Sequence, residues 1–556
     1  MSSDPSQEGP ERSVNNPCDL RLILPDGVQL VARVWTPTQG KGPWPALLMR
    51  QPYGRAIAST VTYVHPRWWA DQGFLVVVQD VRGQGASEGQ FSGFSQEAAD
   101  TSATLSWIRQ RPNCNGRVGL YGFSYQGLTQ LLALPDTAPP DCLAPAMTGL
   151  DERDHWSCEG GAHWWHLGLG WGLQLAALQA RRHNNPEAWE EIRRCLEQNS
   201  HCREGLKLLQ RHDPNGMVCR WLERSPQDDE AWICHQPPAE WLRRPMLLIG
   251  GWWDPHLRGV LDLHRRSLAA GGRPELHIGP ASHLQWWPEV QQLHLHFFRR
   301  FLTEPASGVI DRPRETSTVV PAVMVWDQCT QQWNAVDSTG SSGGLWQLSG
   351  SSLACHAPSE GQLTAGPTSA NAMPEATHTA VVIVHDPWRP APAIGGHLSP
   401  NPGPVNRASV DARTDVATFT SEPLTANLQL RGRPSLTITA SADQPGFDLC
   451  VALSVCPANG SEIRQLSTGV RRVIGAHALQ PTTHRVELQA LEALLKAGDR
   501  LRLSIAGACW PAIAINPGHG DGICGPPNPD CRVISITLNM VEAFVSFEPL
   551  IPDRII

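Results

Sequence analysis

The sequence predicts a doubly wound, mostly parallel α/β sheet interrupted by an inserted helical cap and followed by an all-β jelly-roll domain. Three observations carry this. Short apolar runs alternate with helical stretches up to about Gly149 and resume after Leu242, the mark of an α/β sheet. Between them lies Trp-, Arg- and Glu-rich sequence with helical periodicity. Beyond Pro313, short strands follow one another, separated by Gly, Pro, Ser and Asn turns. With 556 residues the chain exceeds what one hydrophobic core holds, so several domains are expected. The expected bounds are 1–149 and 243–315 for the two parts of the α/β domain, 150–242 for the cap, and 316–556 for the jelly roll.

In chain order, Leu20–Leu24 and Val28–Val34 flank Pro25-Asp26-Gly27 and read as a hairpin. Ala46–Met49, Phe74–Gln79 and Val118–Tyr121 read as buried parallel strands, with a helix over Gln96–Arg109. Trp171–Arg181, Pro186–Gln198 and Glu204–Arg211 are the cap helices. Met246–Gly250 and Glu275–Ile278 resume the sheet, and an amphipathic helix over Pro288–Leu302 completes it. Val319–Val325, Ala380–Val384, Ser435–Ala440, Leu449–Val455 and Arg500–Ile505 are assigned to the β module. Ser338–Gly344 is a turn or short linker.

Composition excludes several classes. A net charge of −8 offers no basic field for nucleic acid. No apolar stretch is long enough to span a membrane, and the Ser-, Pro- and acid-rich start lacks a secretory core, so a cytoplasmic protein is expected. The 15 cysteines are odd in number and scattered, which favours free thiols over a disulfide framework. No Cys-x-x-Cys or clustered His/Cys spacing marks a zinc site, so neither metal nor cofactor is expected. An oligomer is compatible with all of this.

The chemistry centres on Gly122-Phe123-Ser124-Tyr125-Gln126-Gly127. Among 49 glycines, Gly-x-Ser-x-x-Gly alone is weak, and Gln126 departs from the commoner Gly-x-Ser-x-Gly. Its context is stronger: Ser124 follows the strand Val118–Tyr121 and precedes a helix expected over Gly127–Leu134, the setting of a nucleophile elbow. A serine hydroxyl needs a histidine to take its proton and a carboxylate to orient that histidine. Asp254 follows Met246–Gly250 and His283 follows Glu275–Ile278, each beyond a later strand and in the order serine, acid, histidine. An oxyanion would be held by the Tyr125 N–H and by the loop after the third strand, where Tyr53 offers a phenol.

Arg50-Gln51-Pro52-Tyr53-Gly54 resembles the "R-x-P-Y" segment of the cocaine-esterase-like and Xaa-Pro dipeptidyl-peptidase hydrolases. Val78–Gly83 with Ala86–Gly89, Gly122–Gly127, Gly251–Asp254 and Ile278–His283 resemble the same family in the same order. His385-Asp386-Pro387, Gly395-Gly396 and Thr420–Leu424 do so in the β module. The resemblance implies an α/β-hydrolase with cap and jelly roll, Ser124 as nucleophile, His283 as general base, Asp254 as its orienter, and Tyr53 with the Tyr125 N–H as oxyanion hole.

The substrate is expected to be a small ester, amide or short peptide. Trp252 and Trp253 beside the acid, and Trp156, Trp164, Trp165 and Trp171 in the cap, suggest a pocket for a bulky apolar or aromatic group. Some relatives of this family hold a substrate ammonium with extra acids. Here Pro255-His256-Leu257-Arg258 follows Asp254, which argues against an ammonium site at that place; Asp151, Glu152, Asp154 and Glu159 at the cap entrance are an alternative ammonium site, with solvated loop the favoured reading of all four. An Xaa-Pro dipeptidyl-peptidase is the alternative enzyme, and an inactive binding protein the remoter one.

Overall fold

The computed structural model describes residues 17–57, 62–303, 323–336, 340–357, 359–366, 380–460, 462–520 and 524–551. The first sheet begins with β1 (Cys18–Ile23) and β2 (Gln29–Trp35), the expected antiparallel hairpin. It continues through β3 (Trp44–Gln51), β4 (Leu75–Asp80), β5 (Cys114–Phe123) and β6 (Cys142–Ala146). A small hairpin, β7 (Cys158–Glu159) with β8 (Ala162–His163), stands apart, and β9 (Leu247–Trp253) and β10 (Glu275–Ser282) return to the sheet. The spatial order is β1-β2-β4-β3-β5-β6-β9-β10, and pairing is parallel from β4 onward.

Alternation along the strands explains why helices cover both faces. Successive strand side chains point to opposite sides. Leu48, in register with Val77 and Leu120, faces one core with Leu105 and Ile108 of α2 (Glu97–Arg109). Leu47, in register with Val76, faces the other core with Trp69 of α1 (Pro66–Asp71). The helix after β5 is short: α3 spans Tyr125–Thr129 rather than running to Leu134.

The cap consists of α4 (Trp165–Arg182), α5 (Pro186–Glu197), α6 (His201–His212), α7 (Met217–Glu223) and the short α8 (Ala239–Leu242). The chain then re-enters the sheet at β9, followed by α9 (Leu257–Ala269), β10 and α10 (Val290–Phe298). A π-helical turn, Arg299–Thr303, ends α10 where a longer α-helix was expected.

One strand assignment needs correction. The described part of Val319–Val325, in β11 (Val323–Trp326), pairs parallel to β10 and extends the first sheet; β12 (Trp333–Ala335) adds an antiparallel edge. A short apolar run marks a strand but not which sheet it joins. The Ser338–Gly344 turn lies partly outside the described residues. The β module itself is one hydrogen-bonded sheet of eleven strands among the described residues, wrapped around its own core, with Leu436, Phe447, Leu503 and Ile536 at its centre.

Candidate functional site

The four polar residues singled out from the sequence all sit beyond the carboxyl ends of sheet strands: Tyr53 after β3, Ser124 after β5, Asp254 after β9 and His283 after β10. This is the edge at which open α/β sheets present their chemistry.

Ser124 has φ 58° and ψ −128°, a conformation costing a non-glycine residue about 1–3 kcal/mol. The fold holds it there: the Ser124 N–H lies 3.0 Å from the Ala146 carbonyl and 3.1 Å from that of Met147, and its own carbonyl accepts from the N–H groups of Gly127 and Leu128. The unusual Gln126 becomes intelligible at this turn. Gly122 has φ 141°, and a Cβ on it would lie 2.5 Å from the Gln126 Cβ. The missing side chain of Gly122 makes the room that Gln126 fills. At Gly127 a Cβ would meet Thr148 at 2.8 Å and the Ala146 carbonyl at 3.0 Å, so the second glycine serves close packing of the helix on the end of β6 and the loop after it.

Asp254 is completely buried. A carboxylate there needs donors, because leaving it unpaired costs several kcal/mol. Its Oδ1 accepts the His256 backbone N–H at 2.8 Å, and its Oδ2 lies 2.6 Å from His283 Nδ1. With the Nδ1 proton directed at Asp254, the lone pair of His283 is on Nε2, the nitrogen a general base uses. The β module reaches this point as well: Gln489 Nε2 donates to the Asp254 carbonyl at 2.7 Å.

Loss of solvent pushes the Tyr53 phenol up to about 12, so it stays a protonated donor. Trp171 Nε1 donates to its oxygen at 3.0 Å, taking up an acceptor position and leaving the O–H to donate elsewhere. Behind this loop, buried Arg50 pairs with buried Glu97 at 2.7 Å, and Glu97 accepts the Tyr125 hydroxyl at 2.8 Å. The arginine of the R-x-P-Y segment thus ties the Tyr53 loop to α2 and α3. Tyr125 is the first residue of α3, where a helix leaves N–H groups without intrahelical partners.

Ser124, His283 and Tyr53 converge on a cavity of about 450 Å³ whose other wall carries Trp156, Trp164 and Trp171. Trp156 stacks on Trp171, with centroids 5.8 Å apart, and also packs on Phe94 and on His256, which in turn lies against His283 at 4.9 Å. Trp164, capping the start of α4, and Leu167, Gly168 and Trp171 along it fall at helical spacing on one stripe, and this stripe faces the cavity. Trp165 lies on the other stripe with Leu169 and Leu173, inside the cap, its Nε1 donating to the Cys202 carbonyl.

Trp252 and Trp253 do not line this cavity. Trp252 is buried against the core and donates to the Trp326 carbonyl; Trp253 borders a separate hollow with Trp326 and Gln328. Strand side chains project from the sheet faces, not along the strand toward its end. The four cap acids stay outside the cavity too, and they are not simply solvated. Glu152 is buried, accepting from Trp221 Nε1 at 2.9 Å and lying 3.1 Å from His235 Nε2, and Glu159 pairs with His397 at 2.6 Å. Asp151 accepts the backbone N–H groups of Arg153 and Asp154, and Asp154 pairs with Arg153.

Sequence reasoning missed His166, His256 and Gly170 on the cavity wall. His256 carried a readable signal: an aspartate two residues earlier commonly bonds the N–H at that position. Burial brings both histidines down to about 4, so they are neutral.

Fold and strand-end geometry together are those of a serine hydrolase. Residues 26–285 match the model of the X-Pro dipeptidyl-peptidase (S15) family, and residues 318–528 that of the X-Pro dipeptidyl-peptidase C-terminal non-catalytic domain. The chain belongs to this family of α/β-hydrolases, which includes the cocaine-esterase-like enzymes. It is 26% identical over 546 residues to a cocaine esterase of Rhodococcus sp. (strain MB1 Bresler), covering 90% of this chain and 92% of that protein. An aminopeptidase from a marine sediment Thaumarchaeota archaeon has a similar structure (TM-score 0.74, 19% identity, 98% of both chains). So does an α-amino acid ester hydrolase (TM-score 0.66, 18% identity, 99% of both chains). At these identities the likeness concerns the fold. Among the described residues no helix is long and apolar enough to cross a membrane.

Proposed function

We propose that this hydrolase is an esterase for uncharged esters bearing a bulky apolar or aromatic group, acting through an acyl-enzyme. In this reading His283 Nε2 takes the Ser124 proton as Oγ attacks the ester carbonyl carbon. The Tyr53 hydroxyl and the Tyr125 N–H donate to the oxyanion. His283, its imidazolium stabilised by Asp254, then protonates the departing alkoxide, and water repeats the sequence to release the acid.

The observation that supports an uncharged substrate is the cavity wall. It carries tryptophans, glycines and neutral histidines, and none of its residues is Asp, Glu, Lys or Arg. A free substrate ammonium buried there would lack a counter-charge, a cost of several kcal/mol. This disfavours a dipeptidyl-peptidase, whose substrates present an N-terminal amine. Buried free cysteines such as Cys142, Cys195 and Cys450 suit a reducing compartment, and the cytoplasm is the proposed location.

The test compares turnover of a neutral aromatic ester with that of an X-Pro arylamide. The ester is expected to dominate; robust arylamide cleavage with feeble ester turnover would overturn the assignment. Fluorophosphonate should label the native protein and leave Ser124→Ala unlabelled. Absence of labelling in folded native protein would favour a binding role.

A further inference from the structure

We propose that His166, His201 and Cys202 form a binding site for a borderline-soft divalent ion of the Zn²⁺ type, joining α4 to α6 at the wall of the catalytic cavity. The three side chains come from places 35 residues apart, and one ligand atom from each lies within 4.8 Å of the others. His201 and Cys202 are buried at the start of α6, and His166 is part of the cavity wall.

Their spacing suits a shared ion. His166 Nδ1 is 3.0 Å from His201 Nε2 and 3.7 Å from Cys202 Sγ. Tetrahedral zinc, with bonds of about 2.05 Å to nitrogen and 2.3 Å to sulfur, separates two nitrogens by about 3.3 Å and a nitrogen from a sulfur by about 3.6 Å. The two His166 pairs need shifts of only a few tenths of an ångström, and the His201–Cys202 pair, within 4.8 Å, would have to close toward the nitrogen–sulfur value.

A hydrogen-bonded cluster explains the same arrangement poorly. Nδ1 of His166 has a single lone pair, yet the His201 ring and the Cys202 thiol both converge on it. An ion would instead take one lone pair from each residue. Burial already keeps both imidazoles neutral, the state a ligand needs, whereas the thiol, pushed up to about 11, must lose its proton. Uptake of M²⁺ therefore forms two N–M bonds and one S–M bond and releases one proton from Cys202 to solvent. Three protein ligands leave one tetrahedral position for water or an anion.

The experiment uses the full chain, stripped with chelator and titrated with Co²⁺ and then Zn²⁺. The parent is expected to develop a thiolate-to-cobalt charge-transfer band at one equivalent, bleached by Zn²⁺, and to melt higher when loaded. Cys202→Ser and His201→Gln should lose both the band and the rise in melting temperature. A parent without the band in excess Co²⁺ would overturn the site, as would variants that keep it at unchanged stoichiometry. Should either variant misfold, X-ray absorption of the zinc-loaded parent decides: two nitrogens and one sulfur in the first shell are expected, and a shell without sulfur refutes the proposal.

Discussion

The cavity has two walls built on different principles. The wall at the strand ends is polar, and its groups are held by named partners: Ser124 by two carbonyls, Asp254 by His256 and His283, and the Tyr53 loop by Arg50 and Glu97. The cap wall is one stripe of α4 with Trp156 beside it, apolar and partly made of glycine. In our reading, one wall fixes the reaction and the other the size and polarity of what reacts. Changes on the first should depress turnover for every substrate, while changes on the second should reorder substrates.

The largest effect expected is that of Asp254→Asn, which keeps the shape but favours the wrong His283 tautomer: kcat should fall by about 10⁴ for all esters. A substrate-dependent loss would break the division between the walls. Tyr53→Phe should lower kcat by about 10²–10³ with far less change in KM, measured on a matched ester pair. Its Trp171 contact joins the two walls, as the Trp156–His256 contact does elsewhere, so a purely KM effect would move Tyr53 to the specificity side.

Both walls contain neutral histidines, His256 buried and His166 half-buried, and this gives a pH test. His256 and His166 are held at about 4, against 6.5 for the free side chain. Between these values the unfolded chain binds protons that the folded chain refuses, so stability falls as pH drops from about 6.5 to about 4. His256 alone accounts for on the order of 3 kcal/mol at most. Urea unfolding at a series of pH values should show this slope, and His256→Gln should lessen it without abolishing it, because burial depresses His163, His264, His277, His294 and His484 in the same way.

The smallest effect concerns Gly170, whose Cβ position is open. Gly170→Leu should cost about tenfold or less in kcat/KM for bulky aromatic esters and leave small acyl esters nearly untouched. A helical glycine also destabilises by about 1 kcal/mol relative to alanine, so Gly170→Ala should raise the melting temperature. Equal losses on large and small esters would take α4 out of specificity.

The strand-end wall was legible in the sequence because each residue follows a short apolar run, and parallel strands deliver their ends to one edge. Ser124, Asp254, His283 and Tyr53 could be placed without knowing the sheet order. The cap wall was not legible in the same way. Trp252 and Trp253 adjoin the acid in sequence but leave the sheet through its faces, whereas Trp171, in a different element, meets the Tyr53 hydroxyl. The stripe through Trp164, Gly168 and Trp171 is visible as helical periodicity, but nothing local says which stripe faces the cavity. The β11 assignment and the His166, His201 and Cys202 cluster depend on long-range pairing that linear spacing does not encode.

The start of α4 ends on the β module: the N–H groups of Trp165 and His166 donate to the carbonyls of Ala512 and Pro511 at 2.8 and 3.0 Å. The helix that shapes the cavity is therefore anchored by a loop more than three hundred residues downstream. Recombination between relatives is constrained by this, since a crossover between cap and β module exchanges a wall without its anchor. Chimaeras that transplant substrate preference should move the cap and the loop around residues 510–513 as one inherited unit.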